Sequence, residues 1–373
     1  MLFAIWTFSL FTIFINQASA FDIETDGRIT IGSQYIFNSP PLHKDFDSSL
    51  ELHFGVGGNF LKASGWALDY EFEIEGASNN GPSEQSNLSD DTDIGIHRSW
   101  LDLSKGPLQF RGGRQNILFG SGKIFKPLGF FDTRDVSGVI PEAHGVDSFR
   151  ATWFKSDVSL IEAWIAPAKI GSALISGIRG EMLLGSTEIG TVFQYHPKSD
   201  LEDFLGYDQE MIQMGYYFTG ENEFGFWNET RLDVEMQTTS PINFDTVLGI
   251  DYTFDIGEGL HVLAEYFLTT QQQEFSMSDL KSQKTYQQVG FAIDQPIGID
   301  MKWQVFSMLD LRDRSFQINP QIELSITDTL FLYFYGKIGS EIKGTKKNGR
   351  LYQRTNKFNG TESSVGLTLA KFL

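Results

Sequence analysis

The sequence predicts an all-β chain, a transmembrane antiparallel up-and-down β-barrel of about eighteen strands. Three observations predict it. Apolar and polar residues alternate with period two along most of the chain. Long polar connections alternate with tight turns rich in Gly, Asp and Asn. Aromatic residues reach 14% and glycines number 37, yet hydrophobic content is only 41%. A strand points successive side chains to opposite sides, so each alternating run has one greasy face and one wet face. A soluble sandwich has no reason to sort its connections by length. A barrel does, because one rim carries tight turns and the other carries long loops.

The chain opens with an apolar stretch from Leu2 to Ile15, followed by Ala18-Ser19-Ala20 ahead of Phe21. Residues 1–20 therefore read as a cleaved secretory signal peptide, and residues 21–373 as the barrel domain. The stretch carries no Lys or Arg, and a membrane anchor is the competing reading. The formal charge of −19 lies wholly beyond residue 20. No later window approaches about 18 uncharged apolar residues, which excludes helical spans. Cysteine is absent, and with it disulfides, thiolate metal sites, lipidated Cys anchors and c-type haem. So acidic a chain repels phosphates, and nucleic acid is excluded as a partner. An exported, aromatic- and Gly-rich chain of moderate hydrophobicity fits an outer-membrane barrel better than a soluble core.

The strands follow in order. Ile29/Ile31/Ser33/Tyr35/Phe37 and Leu50/Leu52/Phe54/Val56 each line one face. In residues 64–75, Trp66, Leu68, Tyr70, Phe72 and Ile74 oppose Asp69, Glu71, Glu73 and Glu75. Spans near 157–166 and 177–184 are weakly patterned, so sixteen strands is the other count allowed. Ile189/Thr191/Phe193/Tyr195, Ile212/Met214/Tyr216/Phe218 and Leu248/Ile250/Tyr252/Phe254/Ile256 continue the rhythm. Val262/Ala264/Tyr266/Leu268, Met301/Trp303/Val305 and Val365/Leu367/Leu369 complete it. Long connections fall near 38–48, 76–92, 119–147, 167–176, 196–208, 271–285 and 340–360. Short ones include Lys105-Gly106-Pro107, Gly185-Ser186, Gly257-Glu258-Gly259 and Thr327-Asp328-Thr329. Two connections on the long side, 237–244 and 312–315, are short. Roughly twenty residues per strand and connection match a spanning strand of about 9–11 residues plus its share of loop.

One stretch is more particular: Arg111-Gly-Gly-Arg-Gln-Asn-Ile-Leu-Phe-Gly120, then Asp132-Thr-Arg-Asp135, then Gly145-Val-Asp-Ser-Phe-Arg150. With the leader, the dyad strands, the alternating connections and a strand running to the C-terminus, it resembles Gram-negative outer-membrane porins. The terminal strand departs from their pattern: Lys371 interrupts its alternation, and the aromatic Phe372 is penultimate. The resemblance implies a channel without naming its solute, and implies a homotrimer as a candidate assembly. It also implies that the 119–147 loop, which carries Lys123, Lys126, Asp132, Arg134, Asp135, Glu142 and His144, folds into the barrel and narrows it. A solvated surface loop is the other reading. Its aromatic core, Phe125/Phe130/Phe131, favours packing.

The candidate pore-lining and selectivity residues are Asp69, Glu71, Glu73, Glu75, Arg98, Arg111, Arg114, Arg134, Asp135 and Arg150, with Arg179 beside them. Arg114 lies where the strand phase becomes ambiguous. Arginines facing a carboxylate row would set a transverse field across a constriction. Mutual ion pairing that merely keeps the lumen wet is the blander reading. A lipid-facing Arg costs about 2–4 kcal/mol at the midplane, so these residues belong inside, at a rim or in loops. Trp66, Trp100, Trp153, Trp164, Trp227 and Trp303 are expected in interface girdles. Asn87–Asp93 offers oxygen atoms but lacks the spacing of a Ca²⁺ loop.

The expected function is passive diffusion of small hydrophilic solutes or ions, with outer-membrane lipid and lipopolysaccharide as surroundings and no cofactor. One alternative is a barrel scaffold or sleeve for a partner complex. Another is a barrel hydrolase using His97 and Ser99, for which no Gly-x-Ser-x-Gly context exists.

Overall fold

The computed structural model describes residues 22–37, 46–63, 65–79, 91–167, 173–197, 210–236, 242–272, 283–312, 314–339 and 363–373. The leader, most of the Asn87–Asp93 stretch and the tips of most long connections lie outside the described residues.

Eighteen antiparallel strands form one sheet in which each strand pairs with its neighbours in sequence. The first five are β1 (Glu24–Phe37), β2 (Phe46–Ala63), β3 (Trp66–Asn79), β4 (Asp91–Lys105) and β5 (Leu108–Gln115). There follow β6 (Val146–Ser156), β7 (Ser159–Pro167), β8 (Leu174–Leu184), β9 (Thr187–His196) and β10 (Met211–Glu221). Next come β11 (Gly225–Glu235), β12 (Ile242–Phe254), β13 (Leu260–Gln272) and β14 (Gln283–Ile297). The last four are β15 (Met301–Asp310), β16 (Phe316–Thr327), β17 (Leu330–Gly339) and β18 (Ser363–Phe372). β18 pairs with β1 from Arg28↔Phe372 to Phe37↔Ser363, which closes the barrel and removes both edges. The weakly patterned spans are both genuine strands, β7 and β8, so the count is eighteen.

Several strands outrun their alternating runs; β2 extends well beyond Leu50–Val56 at both ends. Pairing needs only backbone, whereas an apolar face is required only across the hydrocarbon. The pattern therefore fades before the ladder does.

The burial is inside out. Phe72 and Ile74 are 44% and 39% exposed, and Glu73 between them is 8% exposed. Leu248, Ile250, Tyr252 and Phe254 are exposed on β12, as are Leu50, Leu52 and Phe54 on β2. The buried set is rich instead in polar groups, with Gln194, Gln213, Gln288, Gln317 and His196 among them. So large an apolar exterior is stable only against lipid.

The turns are tight, as at Gly185 between β8 and β9, whose φ of +65° suits glycine. Four register shifts interrupt the ladders. One, between β3 and β4, pairs Glu73 with Arg98 and Ile74 with Ile96, leaving His97 as the extra residue of a β-bulge.

Candidate functional site: a loop folded into the lumen

The 116–145 connection enters the barrel and follows its inner wall. Ile117 and Phe119 pack with Trp164 on β7, Val192 on β9 and Tyr217 on β10. Glu229 on β11 then accepts the backbone N–H groups of Ser121 and Gly122, both at 2.8 Å, and that of Leu128. Glu265 on β13 accepts those of Lys123 at 2.7 Å, Ile124 at 3.0 Å and Phe125 at 2.8 Å. Ile124 reaches Met308 on β15 within a second apolar cluster that includes Trp227 and Leu263. The chain then turns back. Arg231 donates to the Pro127 carbonyl at 2.6 Å, and Phe130 and Phe131 join the first cluster. On its way out the loop meets Gln321 on β16, which donates to the Val139 carbonyl. Glu142 accepts from Arg28 on β1 at 2.8 Å.

Two effects hold it. Leu128 and Phe131 are almost fully buried, and each such side chain contributes about 1.5–3 kcal/mol. The irregular backbone would otherwise bury unpaired N–H groups, and Glu229 and Glu265 satisfy six of them. The reading of a solvated surface loop is therefore overturned. Sequence reasoning missed Glu229, Glu265 and Arg28. A signal was present: Trp227, Glu229, Arg231 and Asp233 share one face of β11, and so dense a charged run beside a Trp belongs in the lumen.

Within the loop, Lys126 and Arg134 both grip Asp132, at 2.9 and 2.6 Å. Burial pushes the Asp132 carboxyl up, but hydrogen bonds from Arg134 and Lys126 outweigh it and bring it down to about 2. Burial also lowers the Lys126 ammonium. The Glu142 carboxyl is held below its ordinary range: its burial is outweighed by the bond from Arg28. Arg134 and Asp135 thus shape the loop itself, Asp135 by accepting from the N–H and hydroxyl of Ser137.

The acidic row faces inward. Asp69 accepts from Asn59, Glu71 pairs with Arg98 at 3.2 Å, and Glu73 lies 3.6 Å from the same guanidinium. Arg111 pairs with Asp102 at 2.7 Å and lies 4.0 Å over the Trp100 ring. Arg150 bonds Glu162, which Arg179 approaches at 3.3 Å. Apart from Asp69, these arginines and carboxylates are thus interleaved on neighbouring strands, each beside a counter-charge.

Arg114 does not line the pore. It pairs in register with Ser99 and Asp147, on the face that carries Phe72 and Phe149, and forms an ion pair with Asp147 at 3.1 Å. It sits close to the loop, at the barrel's rim, where an outward Arg finds a counter-ion instead of hydrocarbon.

Three tryptophans also depart from the girdle. Trp100 shares the inward face of β4 with Arg98 and Asp102. Trp164 and Trp227 are buried in the lumen, each lying over a glycine of the next strand. A Cβ at Gly177 or Gly249 would come within 2.2 or 2.0 Å of the ring. The hydrolase pairing is not assembled either. His97 is buried and bonds Glu75 at 2.8 Å, while Ser99 faces the Phe72 side.

No family model matches the chain, and no curated protein matches it. Solved structures do. OccAB3 of Acinetobacter baumannii superposes with a TM-score of 0.61 at 9% identity, covering 95% of this chain and 99% of that one. OmpTdeltaL8, a loop L8 deletion mutant of an outer membrane protein of Vibrio cholerae, gives 0.52 at 10% identity, with coverage of 95% and 100%. A double mutant of the Rh. blastica porin gives 0.51 at 10% identity, with coverage of 94% and 100%. The fold is that of the outer-membrane porins.

Proposed function

We propose that this protein is an outer-membrane channel for passive diffusion of small hydrophilic solutes or ions. The observation that carries the reading is the 116–145 loop, fixed across the inner wall by Glu229 and Glu265. Such a loop narrows a water-filled lumen without sealing a core, and fixed charge near it biases what passes. No bond is made or broken. Arg98, Arg111 and Arg150, interleaved with Glu71, Glu73, Asp102 and Glu162, supply that charge as a largely balanced belt. Their balance favours weak ion selectivity over a strong transverse field. The loop's occupation of the lumen argues against a sleeve for a threaded partner, which would have to displace it.

The channel reading places the chain in the outer membrane after cleavage near residue 20, surrounded by lipid and lipopolysaccharide, with a homotrimer as the candidate assembly. The test is efflux from liposomes carrying the refolded barrel. Encapsulated small sugars and salts should leave at rates that fall with solute size. Retention of every solute, with the barrel shown to be inserted, would overturn the reading.

A further inference from the structure

Three of the chain's six histidines converge where the loop leaves the lumen. The rings of His53 on β2 and His97 on β4 are 5.4 Å apart, and His144 on the loop is 5.9 Å from His97. Between their strands stands Glu75 of β3, opposite His53 in register. One ligand atom from each of His53, Glu75 and His97 lies within 4.8 Å of the others. His144 Nδ1 is 3.8 Å from the Glu75 carboxylate.

Two further observations point to a ligand. The β-bulge turns His97 inward, where the residue is 2% exposed. Glu73 holds His53 Nδ1 at 3.3 Å, which leaves its Nε2 to the ion, while His97 Nδ1 lies 2.8 Å from the Glu75 carboxylate, close enough for both atoms to bind one ion. A carboxylate on one ring nitrogen orients the imidazole and raises its basicity as a metal ligand. Nearby cations are already engaged, Arg28 by Glu142 and Arg98 by Glu71.

We propose that His53, Glu75 and His97, completed by His144, form a site for one divalent transition-metal ion of the zinc class that staples the loop's exit to the wall. Imidazole with a single carboxylate suits Zn²⁺ better than Ca²⁺ or Mg²⁺. The ligand atoms must draw in by roughly an ångström to reach Zn–N distances of about 2 Å. His144 can move with its loop.

Calorimetric titration of the refolded full-length barrel with ZnCl₂ tests this without reference to transport. One ion per chain should bind, and binding should weaken by about tenfold or more in His97→Gln and in His144→Gln. His144 is exposed, so its variant keeps the test valid should His97→Gln misfold. Zinc binding unchanged in His144→Gln, no binding at all, or equal binding of Mg²⁺ would overturn the proposal. A second arm rests on the channel reading: zinc should reduce current fluctuations in wild type and not in His144→Gln. Zinc binding in an electrically silent barrel would sink the channel and leave the site standing. A conducting barrel that ignores zinc would do the reverse.

Discussion

The carboxylate of Glu265 on β13 accepts the backbone N–H of Phe125 at 2.8 Å, joining the barrel wall to a loop that begins eight strands earlier. The same carboxylate takes the N–H groups of Lys123 and Ile124 and the indole N–H of Trp227. Hydrogen bonds to a charged group contribute about 1.5–3 kcal/mol each. Glu265→Ala leaves three loop N–H groups without their acceptor and should detach the 123–125 segment. Limited proteolysis of the folded barrel should then cut within 116–145, where wild type resists. Equal resistance would mean that Glu229 and apolar packing hold the loop without Glu265.

Arg111 and Arg114 stand three residues apart and face opposite ways. Arg111→Glu reverses a charge in the lumen beside Asp102, leaving two carboxylates adjacent, and should shift the reversal potential toward cation preference. Arg114→Glu lies on the outer rim facing Asp147 and should leave the reversal potential unchanged. Equal shifts in both would place Arg114 in the pore after all.

The tryptophans divide by face. In single-tryptophan variants reconstituted in brominated lipid, the fluorescence of Trp153, which is 45% exposed on the outer face, should be quenched. That of Trp164 and Trp227 should not. Quenching of Trp227 would contradict its burial against Glu265.

Much of this architecture was legible in the sequence because dyad alternation is a direct imprint of lipid on one face and water on the other. Residues 64–75 announce both faces of β3 at once. Trp227 defeats a girdle assignment made from its position near a strand end. Counting by twos from Glu229 puts it in the lumen. Arg114 and His97 are harder. Arg114 follows two glycines that carry no side chain to mark the phase of β5, and at His97 the phase of β4 breaks at a one-residue bulge that nothing in a string of residues marks. The roles of Glu229 and Glu265 depend on contacts 101 to 142 residues away in sequence, which periodicity cannot encode.

Acid should loosen the loop. The Asp132 carboxyl falls from 3.8 to about 2, so it takes up its proton at lower pH in the folded protein than in the unfolded chain. Its contribution is fully present above pH 3.8 and is lost as pH falls toward about 2. Glu142 is shifted in the same direction, so its tether to Arg28 fails below its ordinary range. Pepsin should leave the folded barrel intact at about pH 4 and cut near Phe130 and Phe131 at about pH 2. Cleavage equally rapid at both values would show that these carboxylates do not hold the loop.

The most direct measurement is single-channel recording in a planar bilayer of wild type beside the Glu229→Ala/Glu265→Ala double variant. Stepwise openings in wild type, with larger and noisier steps in the variant, are the predicted result. An electrically silent wild type, or identical conductance in the two, would contradict a lumen narrowed by this loop.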